Sequence, residues 1–181
     1  ECSAAMHCDG VVFISSYYGA DIDGIDTAEV NTAAIEGGNL WAIDAFDGTL
    51  LWTSHSPKEM KSSPIVCGNR LWLADYGGKI YVHNIKNNGE LEREIDLLSN
   101  SAVFASPALT KGKDWIVFAS TQGNVAVIDT NTFQKIWIYQ LDVPVFATPL
   151  WIDNKASQGQ EYKEQLVFAC VDGSIRSFSH M

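Results

Sequence analysis

No run of about 18 uncharged apolar residues occurs in the 181-residue chain, which excludes a membrane-spanning helix. Helical periodicity of three and four is sustained nowhere for three turns, so an α-helical domain is excluded as well. Basic residues are scarce: 12 Lys and Arg stand against 22 Asp and Glu, a net charge of −10 that repels phosphate backbones and argues against nucleic-acid binding. Residues 1–57 contain no Lys or Arg at all and nine acids, so −9 of that charge belongs to one segment. The four cysteines, Cys2, Cys8, Cys67 and Cys170, have no CxxC spacing and are expected as buried free thiols, with a Cys2–Cys8 disulfide as the competing reading. His7, His55, His83 and His180 fall in no metal-ligand spacing, and His83 is expected at an outward strand position. No G-x-S-x-G, phosphate-binding glycine loop or paired-acid motif is present, which leaves nucleophilic catalysis without support. The chain opens Glu1-Cys2-Ser3 with no basic or apolar leader, and a processed product or a fragment of a longer protein is the expectation, with its compartment left open.

What is abundant is apolar, at 46 % of residues, and it repeats. A small-residue and proline motif returns as Cys2-Ser3-Ala4-Ala5, Lys61-Ser62-Ser63-Pro64, Phe104-Ala105-Ser106-Pro107 and Phe146-Ala147-Thr148-Pro149. The three prolines are 43 and 42 residues apart. A second motif follows each copy: a glycine turn leading into a short strand, at Gly38–Asp44, Gly78–Asn84, Gly123–Asp129 and Gly173–Ser179. Val11-Val12-Phe13-Ile14, Leu71-Trp72-Leu73-Ala74, Trp115-Ile116-Val117-Phe118 and Leu166-Val167-Phe168-Ala169 are short apolar runs suited to strands covered on both faces. Four antiparallel strands in about 42 residues is the size of one propeller blade. A WD40 array shares the period but lacks a match here to its Gly-His and Trp-Asp pairs, and a β-sandwich has no reason to repeat at this interval.

The expected architecture is therefore all-β: a partial propeller of about four blades, the last lacking its outer strand. The expected blades are residues 1–57, with an acidic insertion at 20–37, then 58–97, 98–142 and an incomplete 143–181. Asp21, Asp23 and Asp26 alternate with apolar residues in that insertion, a weak candidate for Ca²⁺ whose competing reading is a solvated loop.

The segment Ala42-Ile43-Asp44-Ala45-Phe46-Asp47-Gly48-Thr49-Leu50-Leu51-Trp52 fits the eleven-residue pattern A-x-D-x-x-x-G-x-x-x-W at Ala42, Asp44, Gly48 and Trp52. It resembles the tryptophan-docking motif of the pyrroloquinoline-quinone-type (quinoprotein alcohol dehydrogenase-like) β-propellers. Asp129 and Trp137 keep the spacing, with Val127 for the Ala and Phe133 for the Gly. The second unit is degenerate: Val82, Asn84 and Gly89 echo the pattern and no Trp follows. The resemblance implies that Trp52 and Trp137 lie against the neighbouring blade as structural staples, their burial contributing about 1.5–3 kcal/mol each.

In such a propeller the loops into the first strand and between the second and third share one face. This places Glu1, Lys61, Phe104 and Phe146 with Tyr17, Tyr18, Asp75, Tyr76, Gln122 and Asp172 at the channel mouth. Lys61, Asp75, Tyr76, Phe104, Gln122, Phe146 and Asp172 are the binding candidates. The resemblance implies two alternatives. One is a binding or scaffolding module without catalysis, as in outer-membrane assembly scaffolds and in propellers appended to adenylate-forming enzymes. The other is part of a dehydrogenase that uses pyrroloquinoline quinone and Ca²⁺, for which Glu1, Asp75 and Asp172 are the available oxygen ligands and loop-amide capping is their competing use. The family's adjacent-cysteine pair is absent. The expected partners are a protein or the remaining blades, from the same chain or a second copy.

Overall fold

The computed structural model describes residues 3–17, 37–97, 101–110, 114–154 and 163–179. The acidic segment with Asp21, Asp23 and Asp26, and also Glu1, Tyr18 and Cys2, lie outside the described residues.

Four antiparallel sheets follow one another along the chain. The first is β1 (Ala5–His7), β2 (Val11–Tyr17), β3 (Gly38–Asp44) and β4 (Leu50–Ser56). The second is β5 (Ile65–Cys67), β6 (Arg70–Ala74), β7 (Lys79–Asn84) and β8 (Glu90–Asp96). The third is β9 (Ala108–Leu109), β10 (Trp115–Ala119), β11 (Asn124–Asp129) and β12 (Lys135–Gln140). The fourth has three strands, β13 (Leu150–Asn154), β14 (Lys163–Ala169) and β15 (Ile175–Ser179). Each sheet keeps strict sequential order, the meander of a propeller blade, and among the described residues no helix crosses a membrane.

The period-2 alternation of strands explains how the sheets stack. In β6, Leu71 and Leu73 face the first sheet, where they pack with Phe13, Leu40 and Met60. Trp72 and Ala74 face the third, with Ile116, Phe118 and Ile128. In β10 the remaining pair, Val117 and Ala119, faces the fourth sheet with Leu166, Phe168 and Cys170. Three apolar layers thus lie between four sheets, and the two middle sheets are buried on both faces. That is why their central strands read as unbroken apolar runs. The first and fourth sheets each turn one apolar face outward among the described residues: Met6 and Leu51 on one, Leu150 and Ile175 on the other are exposed.

Three complete blades carry the same irregularity. The register slips between Ala42 and Ile43, between Val82 and His83, and between Val127 and Ile128. Each slip leaves one extra residue on the outer strand, Leu51, Glu92 or Ile136, just before the residue opposite Ala42, Val82 or Val127. A bulge bends its strand and re-aims the next side chain. Here it turns Trp52, Arg93 and Trp137 toward the following blade.

Two sequence expectations are corrected. His83 is not outward but 1 % exposed, because its strand is covered by the preceding blade. Cys8 is not buried but exposed in the β1–β2 turn; Cys67 is half-buried and Cys170 buried, all three as free thiols.

Candidate functional site

The blade junctions come first, because they position everything else. At the end of the third strand of each of the first three blades an acid or amide caps its own turn: Asp44 Oδ1 accepts from Phe46 N at 2.7 Å, Asn84 Oδ1 from Lys86 N at 3.0 Å, and Asp129 Oδ1 from Thr132 N at 2.7 Å. These hydrogen bonds hold the Asp129 carboxyl below the usual carboxylate range. The indole of Trp52 lies on the glycine of the next blade, not its own: a Cβ on Gly89 would come within 2.4 Å of the ring, whereas one on Gly48 would meet nothing within 4 Å. Trp52 also stacks on His83, with ring centroids 5.9 Å apart. His83 Nδ1–H donates to the Gly89 carbonyl at 2.9 Å, and burial pushes its pKa below the ordinary histidine value. At the second junction Arg93 stands where Trp would, 5.2 Å over the ring of Phe133, which occupies the glycine position. Arg70 covers the same ring at 4.7 Å, and Trp72 stacks on it at 5.8 Å. At the third, Trp137 meets Phe178 edge-on at 5.3 Å. Arg93 is the residue that sequence reading missed, although counting four positions on from Gly89 reaches it; the sequence puts Phe133 in the glycine position, but does not mark it as the surface Arg93 covers.

At the mouth, three tight turns are superimposable in their bonding. Gly78 N donates to Asp75 O, Gly123 N to Ser120 O and Gly173 N to Cys170 O, at 3.0–3.1 Å. The second residue of each turn donates back to the loop from the preceding blade: Tyr76 N to Glu59 O at 2.7 Å, Thr121 N to Ala102 O at 2.8 Å, Val171 N to Pro144 O at 3.3 Å. The inner edges are laced by serine: Ser3 N donates to Ser63 Oγ at 2.7 Å, and Ser63 N to Ser106 Oγ at 3.0 Å. The small-residue motif therefore sits at the axis because short hydroxyl side chains let neighbouring inner strands approach and bond.

The mouth candidates divide into spent and presented groups. Asp75 is 1 % exposed and accepts four hydrogen bonds: Gly77 N and Lys79 N on Oδ1, Ser56 Oγ and Tyr81 O–H on Oδ2, all at 2.8–2.9 Å. Burial raises the Tyr81 hydroxyl far above its ordinary pKa, so it stays protonated and donates. Asp172 Oδ1 accepts from Ser174 Oγ and N, which hold its carboxyl low, and Oδ2 is 3.9 Å from Arg176. At Gln122 it is the backbone carbonyl, not the side-chain amide, that accepts from Gln140 Nε2 at 2.7 Å. Presented at the surface are two pairs. Lys61 Nζ lies 4.1 Å over the Tyr76 ring while bridging Glu59 at 2.6 Å, and Phe104 packs on Phe146 at 5.5 Å. Tyr76, Phe104 and Phe146 remain exposed.

A calcium-held quinone does not fit this donor set. It needs several free carboxylate and amide oxygens converging on one point. The Asp75 oxygens already accept two donors each, and Asp172 caps its own turn. No cluster of three metal-ligating side chains lies at the mouth among the described residues.

Over residues 10–169 the sequence matches the family model described as outer membrane protein assembly factor BamB. The chain belongs to the BamB-type PQQ-like β-propeller repeat family. No curated protein matches it in sequence. Among solved structures, this BamB-type chain is similar to the computationally designed Ika4 protein (18 % identity, 98 % of this chain and 89 % of that one, TM-score 0.67). It is also similar to BamB from Moraxella catarrhalis (15 % identity, 98 % and 57 %, TM-score 0.61) and to the designed Ika8 protein (18 %, 97 % and 45 %, TM-score 0.62). The chain thus spans just over half the length of that BamB and under half of Ika8. At these identities the likeness is one of fold.

Proposed function

We propose that this propeller segment is a protein-binding scaffold whose channel mouth takes an extended apolar peptide segment. The observation that carries the reading is the division at the mouth. The carboxylates there are consumed by turn amides and hydroxyls, while Phe104, Phe146 and Tyr76 stand exposed on rigid, cross-laced loops. Exposed aromatics on a preorganised frame supply contact area at small entropic cost. The family match supports a role in protein assembly of the kind its description names. The outward apolar faces of the first and fourth sheets fit further blades, from the same polypeptide or a second copy, and the mass in solution distinguishes a lone segment from a closed ring.

The test uses a panel of fluorescent extended peptides differing in apolar content. Anisotropy should rise with apolar peptides and fall back in Phe104→Ser/Phe146→Ser, with the fold intact by circular dichroism. Equal binding by the variant refutes the assignment to the mouth. In a parallel sample, absorbance of bound pyrroloquinoline quinone in the presence of Ca²⁺, lost in Asp75→Asn, would establish the dehydrogenase alternative instead.

A further inference from the structure

On the face opposite the mouth, the β1–β2 turn His7-Cys8-Asp9-Gly10 brings three unlike ligand atoms together. His7 Nδ1 lies 3.4 Å from Asp9 Oδ2 and 3.9 Å from Cys8 Sγ, and Cys8 Sγ lies 3.8 Å from Asp9 Oδ1. A tetrahedral Zn²⁺ with bonds of about 2.3 Å to sulfur and 2.0–2.1 Å to nitrogen and oxygen needs ligand atoms about 3.3–3.6 Å apart. Each separation is within a few tenths of an ångström of those spacings. Asp9, however, offers Oδ2 to the imidazole and Oδ1 to the sulfur, and the sulfur is as near His7 Nε2, at 3.8 Å, as Nδ1. The Cys8 and Asp9 side chains therefore turn to close one triangle on an ion. Among the described residues this is the one group of three His, Cys, Asp or Glu side chains whose ligand atoms all lie within 4.8 Å of one another.

We propose that this turn is a binding site for one borderline divalent metal ion, Zn²⁺ or a relative of similar softness, with a fourth coordination position open to solvent. The donor set decides the class: a thiolate and an imidazole beside a single carboxylate suit zinc and its neighbours, whereas calcium and magnesium need oxygen throughout. The imidazole is 4 % exposed and held by the packed sheet, so one ligand is fixed in advance. Cys8 and Asp9 are exposed and can close on an ion arriving from water. What the ion displaces is weak. Asp9 N–H reaches Nδ1 at only 3.3 Å, and the Asp9 carboxylate is otherwise paired with the exposed Lys86 of the next blade. On binding, the Cys8 thiol releases its proton to solvent as the sulfur–metal bond forms, so affinity falls as the pH is lowered. A spacing search passes over the site because its three ligands are consecutive.

The test uses the full, reduced chain with Co²⁺ as a spectroscopic probe and Zn²⁺ as competitor. One Co²⁺ per chain should give a thiolate-to-cobalt absorption band that Zn²⁺ bleaches. Cys8→Ser should abolish the band, and Asp9→Asn should weaken binding at least about tenfold, as loss of a coordinating group does. Lys86→Ala should tighten binding, because it removes the competitor for Asp9. These three positions are exposed, and a thermal melt confirms that each variant folds. No band at saturating cobalt, or a band that survives Cys8→Ser, overturns the site. An affinity unchanged by Lys86→Ala removes Asp9 as a ligand and with it the three-donor centre.

Discussion

The first and second blade junctions solve one packing problem with the bulk on opposite sides. At the first, a large flat group on the outer strand, Trp52, needs a neighbour with no side chain, and Gly89 at φ 70° provides it. At the second, the turn itself carries the aromatic, Phe133 at φ 61°, and the outer strand answers with the long planar guanidinium of Arg93. A left-handed backbone costs a residue with a Cβ about 1–2 kcal/mol, which the second junction offsets by packing Phe133 against Trp72 and two guanidinium groups. What the repeat conserves in space is a slot of fixed depth between bulge and turn. Either wall can fill it.

Substitutions can break or sharpen that contrast, from the largest expected effect to the smallest. Gly89→Val should destabilise the chain by about 3–4 kcal/mol in denaturant unfolding, because left-handed strain adds to overlap with the Trp52 ring. Trp52→Ala should cost about 2–3 kcal/mol, below the range for a fully buried Trp because the indole is half-buried. Converting the second junction into the first with Arg93→Trp and Phe133→Gly should show coupling of about 1–3 kcal/mol. Each single change should destabilise, the pair should be closer to the parent than their sum, and simple additivity would mean that the two side chains do not share a slot. Arg93→Ala alone should cost only about 0.5–1 kcal/mol, as an exposed cation–π contact does, and less in high salt.

The same junctions should differ in pH response. His83 is buried with its pKa below the value it has when unfolded. Protons therefore bind the unfolded chain first. This contribution to stability is complete above about pH 6.5 and is lost as pH falls toward the folded-state value. His83→Phe, the residue type that Phe178 supplies at the third junction, should flatten that part of the stability profile measured by thermal melts at successive pH values.

The blade repeat was legible because its signals are local: a glycine turn, an alternating or continuous apolar run, and a small residue before proline each lie within a few residues of the strand they specify. The docking position of Trp52 was legible for the same reason, through the spacing from Ala42. Its contact surface was not, since Gly89 lies in the next blade, 37 residues away. At the mouth, Asp75 looked available in the sequence, but Ser56 and Tyr81 reach its carboxylate from two other strands and occupy it. His83 and Cys8 were misplaced on the same account: burial depends on what the neighbouring blade covers, and nothing within a strand records that.

The amino-acid order alone thus determined an all-β array of four blade units, their period and a last unit of three strands. These follow from backbone preferences and hydrophobic alternation, which act between near neighbours. Only the tertiary structure decided which carboxylates are spent, which aromatics face water, how Arg93 and Phe133 exchange the roles of Trp and Gly, and that His7, Cys8 and Asp9 converge. Those outcomes depend on distances set when the sheets pack, and packing couples residues that sequence separation keeps apart.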